Sequence, residues 1–179
     1  MIRTARALLP VLLLAPLFTG CGTEQQAGTA ADLNDAAADW GVDPELVYVT
    51  DVSGFAVFPE SVGKYELNQF DAAYRSDKGS TRFGLFAEYA TLTAENCPEQ
   101  PLGTDKAKPV TCEQDGDAWY RTAGGVHEYA VPRDGVVIRL IADTEKVDRA
   151  VLHEAAEAVH RPDDTELAAL LPTTDGTDT

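Results

Sequence analysis

AWYRTAGGVHEYAVPRDGVVIRLIA, residues 118–142, is the most legible stretch of the chain. Ala118 to Thr122 reads as a strand, Gly124-Gly125 as a tight turn and Val126 to Val131 as the returning strand. Pro132-Arg133-Asp134-Gly135 turns the chain again into Val136 to Ala142, where Val136, Ile138 and Leu140 face one way and Arg139 the other. The spacing predicts a three-stranded antiparallel meander.

Strand patterns also precede the meander. Thr81 to Thr93 places Phe83, Leu85, Ala87 and Tyr89 on one face and Arg82 and Glu88 on the other. With Tyr65 to Arg75 and the turn Ser76-Asp77-Lys78-Gly79-Ser80 it forms a second hairpin. Val47 to Thr50 and Phe55 to Phe58 are short β-rich runs, the latter stopped by Pro59. After the meander, Thr144 to His160 has helical periodicity, with Val147, Val151, Leu152, Ala155, Ala158 and Val159 on one side. Lys146, Arg149, His153, Glu157 and His160 take the opposite, water-facing side. Asp163-Asp164-Thr165-Glu166 is a capping box opening a short helix with Leu167, Leu170 and Leu171. Strands followed by helices predict an α+β fold, an antiparallel sheet of about five to seven strands packed against a C-terminal helix. A small β-barrel plugged by that helix is the alternative.

The N-terminus carries a different message. Arg3 and Arg6 precede an uncharged run from Ala7 to Phe18, and Thr19-Gly20-Cys21 follow, the layout of a secretory signal peptide. The apolar run is too short to span a bilayer, which takes about 20 residues. Small residues ending in cysteine resemble the bacterial lipobox, with Phe18 where leucine is usual. That resemblance implies a diacylglycerol, palmitate-type anchor on Cys21, which holds a protein at a membrane without a transmembrane helix. The chain thus divides into a signal peptide over 1–20, a lipidated cysteine and flexible tether over 21–42, one globular domain over 43–172 and a disordered tail over 173–179.

Composition sets further bounds. The 179 residues include 14 Lys+Arg and 30 Asp+Glu, and removing Arg3 and Arg6 with the leader brings the formal charge to −18. Such acidity repels nucleic acid and anionic head groups. Of three cysteines, Cys21 goes to lipid, and Cys97 and Cys112 are expected to form a structural disulfide outside the cytoplasm.

Candidate chemistry is sparse. Ser61-Val62-Gly63-Lys64 matches S-x-x-K, but Gly63 and the extended context argue against the helical start that motif needs. His153, Glu157 and His160 share helical spacing, yet on a solvated face. Glu113, Asp115 and Asp117 around Gly116 lack the EF-hand pattern and read as a turn. The best site candidate is an aromatic ligand platform of Trp119, Tyr120, His127 and Tyr129 across the Gly124-Gly125 hairpin. No catalytic residue, metal site or cofactor is predicted.

Taken together, Pro44-Glu45-Leu46-Val47-Tyr48-Val49-Thr50, Ser61-Val62-Gly63, Cys97-Pro98, Val110-Thr111-Cys112-Glu113, Asp117-Ala118-Trp119-Tyr120-Arg121 and His127-Glu128-Tyr129 resemble small membrane lipoproteins of high-GC Gram-positive (actinobacterial) bacteria. The resemblance runs from about Pro44 to Pro172 and carries over no catalytic residues. It implies an exported protein anchored by lipid on the outer face of the cytoplasmic membrane. The reading favours a non-enzymatic binding or interaction module with a protein or small-molecule partner. An envelope hydrolase or an accessory subunit of a membrane complex is the alternative.

Overall fold

The computed structural model describes residues 30–65, 69–79, 81–102 and 109–171. The leader, Cys21, the start of the tether and the tail after Leu171 lie outside them. Among the described residues the elements are α1 (Ala30–Trp40), β1 (Phe55–Tyr65), β2 (Gln69–Ser76), β3 (Arg82–Tyr89), β4 (Thr111–Asp115), β5 (Ala118–Ala123), β6 (Val126–Arg133), β7 (Val136–Asp143), α2 (Arg149–Glu157) and α3 (Asp164–Leu170). Short 3-10 turns occur at Pro44–Leu46 and Cys97–Glu99.

The fold is α+β, and its seven strands form one antiparallel sheet in the order β1-β2-β3-β7-β6-β5-β4. It is open, with β1 and β4 as edges, so the plugged-barrel alternative does not hold. β7 joins two meanders, pairing β3 on one side and β6 on the other. Both β5–β6 and β6–β7 turn through two residues with positive φ, Gly124 (59°) and Gly125 (89°), and Asp134 (49°) and Gly135 (85°). That geometry matches strand twist, and it is why the turn signals of 118–142 were so readable.

The front face of the sheet holds the main core. Phe70 and Tyr74 from β2, Phe83 and Leu85 from β3, Ile138 and Leu140 from β7 and Tyr129 from β6 are buried there under the helices. α1 ends in a Schellman motif, with Val42 N–H donating to Ala37 O (2.9 Å) and Gly41 N–H to Ala38 O (3.0 Å). Its Ala36 and Ala37 are buried and Trp40 packs on Phe70 at 6.2 Å, so the packed residues begin ahead of Asp43. α3 begins with the capping box, the Asp163 carboxylate accepting from Glu166 N–H and the Glu166 carboxylate from Asp163 N–H. Among the described residues, no helix is long and apolar enough to cross a membrane.

Several sequence expectations need correction. Val47 to Thr50 is buried but not part of the sheet, because its partner is a single residue, His160, through an isolated bridge at Val49. β1 runs on through Pro59, since the register slips between Phe58 and Gly63 and an edge strand tolerates a missing N–H. Ser61 serves this bulge: its hydroxyl donates to Phe58 O (2.6 Å) and accepts from Ala73 N–H (2.7 Å). It is a strand residue, not a helical nucleophile. The predicted helix from Thr144 starts only after Asp148, because the Asp143 carboxylate captures Glu145 N–H (2.8 Å) and holds a turn there.

The back face is less expected. Residues 90–102 fold across β5, β6 and β7, placing Leu92 and Cys97 against Ala130 and Val137. The Cys97–Cys112 disulfide clips this cover to β4, with Cα atoms 6.3 Å apart. Beneath it runs a ladder of charges, Glu88–Arg139–Glu128–Arg121, one residue from each of four adjacent strands. Arg121 and Glu128 are 0% and 1% exposed. Glu88 and Arg139, on the face opposite the apolar residues as alternation places them, are drawn under the cover by their partners.

Candidate functional site

Strand alternation divides the four residues of the expected platform. Trp119 pairs with Ala130 and packs on the back face beside Cys112, whereas Tyr120, His127 and Tyr129 point to the front. Neighbours on one strand cannot share a face, so Trp119 is separated from the other three. Those three do touch. Tyr120 lies 5.1 Å from Tyr129 and 5.9 Å from His127 between ring centroids, and its hydroxyl is 3.1 Å from His127 Nδ1. His127 and Tyr129 are 2% and 1% exposed, so this cluster is packed core rather than an open surface.

What the cluster supports is a polar cleft beside it. Glu113 and Asp115 belong to β4 rather than to a turn, and the turn itself is at Gly116 (φ 61°). Both carboxylates share the front face of an edge strand, where α2 lies across from them. Arg149, the first residue of α2, is the tie. Its guanidinium meets Glu113 through two nitrogens (2.9 and 3.1 Å), Asp115 Oδ2 (3.0 Å) and the Tyr129 hydroxyl oxygen (2.9 Å). It also lies 4.0 Å over the Tyr120 ring, a cation–π contact. The Tyr129 hydroxyl in turn donates to Asp115 Oδ2 at 2.7 Å.

The electrostatics follow from these bonds. Arg149 holds the Glu113 carboxyl below its ordinary range, and Glu113 first, then Tyr129 and Asp115, raise the guanidinium. Asp115 is held low by the Tyr129 hydroxyl and then by Arg149. Burial pushes the Tyr129 phenol up, and donation to Asp115 adds to it.

One turn along α2, His153 packs on Tyr129 (5.3 Å between rings) with Nε2 3.9 Å from Asp115 and Nδ1 3.5 Å from Glu157. His160, the third member of the expected helical trio, is elsewhere. α2 ends at Glu157, and the chain after it turns His160 toward Val49 and Glu166. Asp115, Asp117, Tyr129, His153 and Glu157, with Gly116, Ala118, Val131, Arg133 and Ala156, line a cleft of about 500 Å³. Among the described residues, its wall contains no serine, threonine or cysteine. Three carboxylates against one arginine, Arg133, give the wall an excess of negative charge.

His127 gives the stability of the domain a measurable pH response. Burial lowers its pKa below the ordinary 6.5, so the unfolded chain binds a proton that the folded one refuses. Stability contributed by neutral His127 is present above about 6.5 and is lost as pH falls from there toward the lower folded value. Urea unfolding at about pH 7.5 and 5.5 should therefore show the wild type's advantage over His127→Asn shrinking at the lower pH. A constant difference would contradict a neutral buried imidazole.

Arg149 was missed by sequence reasoning because the helical period gives a direction but not what lies across from it. The alternation of Glu113 and Asp115 was the available signal for β4. Comparison with known protein families, curated proteins and solved structures gives no match to this chain.

Proposed function

We propose that this protein is a lipid-anchored cell-envelope lipoprotein, held by Cys21 on the outer face of the cytoplasmic membrane, whose domain is a binding module. The cleft between β4–β6 and α2 receives a small ligand bearing an amine or other cationic group. The observation that carries this reading is the cleft wall, with Asp115, Asp117 and Glu157 around a tyrosine floor and, among the described residues, no hydroxyl or thiol nucleophile beyond that phenol. The leader pattern and the mature charge of −18 support the same reading. Arg149 is already saturated by Glu113, Asp115 and Tyr129, so it positions the wall instead of competing for the ligand.

Two measurements test it. Intact mass of the membrane fraction should show Cys21 diacylated, and a full-length unmodified chain would remove the anchor. Titration of the protein with 1,4-diaminobutane should move His153 and Tyr129 resonances, weaken with salt, and weaken again in Glu157→Gln and Asp117→Asn. Unmoved resonances would dismiss the cleft.

A second reading, an envelope hydrolase, is favoured by one observation: His153 sits between Asp115 and Glu157, the setting of a general base. Turnover of an ester or peptide substrate that disappears in His153→Gln would replace the binding reading with it.

A further inference from the structure

Away from the cleft, Asp51, His160 and Glu166 bring one imidazole and two carboxylates together, with one ligand atom from each within 4.8 Å of the others. They share no residue with the cleft lining. Each is positioned by backbone that something else holds. Val49 and His160 exchange two hydrogen bonds of 3.0 Å, which fixes His160 and places Asp51 two residues along. Glu166 is set by the capping box, its Oε2 accepting from Asp163 N–H at 2.9 Å and leaving Oε1 available.

The imidazole is oriented as well. His160 Nδ1 is 2.7 Å from Ala158 O, a carbonyl that can only accept, so the proton is on Nδ1. Nε2 then faces Glu166 Oε1 at 2.8 Å. A neutral imidazole would aim its lone pair at a carboxylate oxygen, which is repulsive unless a cation stands between them. A proton on Nε2 would serve equally, but the Asp51 carboxylate, with an oxygen within 4.8 Å, supplies the third donor that a metal ion uses and a proton does not need. An imidazole tied to a backbone carbonyl by its other nitrogen is also the usual support of a metal ligand. Finally, Asp51 and Glu166 line a cavity of about 260 Å³ with Thr50, Phe55, Tyr74 and Leu170. Three protein ligands beside a partly open cavity match a four-coordinate ion with one position free.

We propose that Asp51, His160 and Glu166 bind a divalent transition-metal ion, with zinc the best match to this donor set, its free coordination position toward the adjoining cavity. Asp51 is exposed and the other two are half-buried, so aqueous metal reaches the site.

The test uses the full-length protein, which has three histidines, and Zn²⁺ with Mg²⁺ as control. Histidine-selective ¹H–¹⁵N spectra should show the His160 Nε2 resonance move with Zn²⁺ and not with Mg²⁺, while His127 and His153 stay. Loss of an outer-shell partner weakens metal sites by about 10- to 100-fold, and loss of a direct ligand should exceed that. Asp51→Asn, at an exposed position, and Glu166→Gln, which keeps an acceptor for Asp163 N–H, are the folding-neutral variants, and both should lose Zn²⁺ by that factor. An unmoved His160 at millimolar Zn²⁺ would show that a proton alone bridges the pair and overturn the proposal. So would a shift at His153 instead, or unchanged affinity in both variants.

Discussion

Glu128→Ala should destabilise the domain by about 3–5 kcal/mol, the cost of leaving buried charge without its partner. Glu128 Oε1 serves two guanidiniums at once, accepting from Arg121 and, at 2.9 Å, from Arg139. Its side chain is 2% exposed, and those of Arg121 and Arg139 are 0% and 14%. Removing the carboxylate from β6 leaves two like charges, Arg121 on β5 and Arg139 on β7, with nothing between them to neutralise either. Arg139 keeps Glu88 (2.7 Å) and Gln100 Oε1 (2.7 Å), but among the described residues Arg121 keeps only the carbonyls of Cys97 and Gln100. Domains are typically stable by about 5–15 kcal/mol, so a loss of this size brings the variant near unfolding at room temperature. Urea denaturation of wild type and variant measures it. A shift under about 1 kcal/mol would show that water reaches the ladder and that the cover is loose. The companion variant Arg121→Met/Glu128→Leu removes both charges of that pair and should recover much of the loss, because a filled apolar site costs less than a half-satisfied ion pair.

Removing the disulfide, as Cys97→Ser/Cys112→Ser, has the second large effect. The sequence separation of 15 corresponds to roughly 3 kcal/mol of loop-closure entropy. More than entropy is involved, because the clipped segment supplies the Cys97 and Gln100 carbonyls that Arg121 donates to. The segment does have other ties: Cys97 N–H donates to Thr93 O (2.9 Å), and the Asn96 and Gln100 side chains donate to Thr91 O (3.0 and 2.8 Å). The cover is therefore expected to loosen rather than detach, with a loss of about 3 kcal/mol or somewhat more. Combining the serine variant with Glu128→Ala should cost less than the sum of the two, since both disable the same ladder. Strict additivity would separate cover from ladder. Thiol labelling of the denatured protein without reductant should leave Cys97 and Cys112 unreacted.

The parts of the fold that were readable are those whose cause is local. Two-residue turns at Gly124-Gly125 and Asp134-Gly135 announce their hairpins, and the Asp163–Glu166 cap needs only residues three apart. Trp119 and Tyr120 were also separable by strand parity alone, although the hairpin invited grouping them. What escaped the sequence is long-range. Nothing near Glu88 or Arg139 says that residues 90–102 will lie over them. Arg149 reaches Glu113 across 36 positions, and Ser53 N–H finds Glu154 across 101. His160 left its expected helix with no glycine or proline before Pro162 to mark the end. The candidate sites depend on such distant pairs, which is why they were less legible than the sheet.

The position of β7 also constrains how the molecule is made. A chain delivered N-terminus first completes the β1–β2–β3 ribbon long before residues 136–143 emerge. Until then the outer margin of β3 has hydrogen-bonding groups waiting for a strand encoded some 50 positions later, an invitation to pair with the wrong partner. The last strand to be synthesised is the one that unites the sheet. Assembly of this domain is therefore expected to be a late, nearly all-at-once event, and a nascent chain cut before Val136 should be the form most prone to self-association.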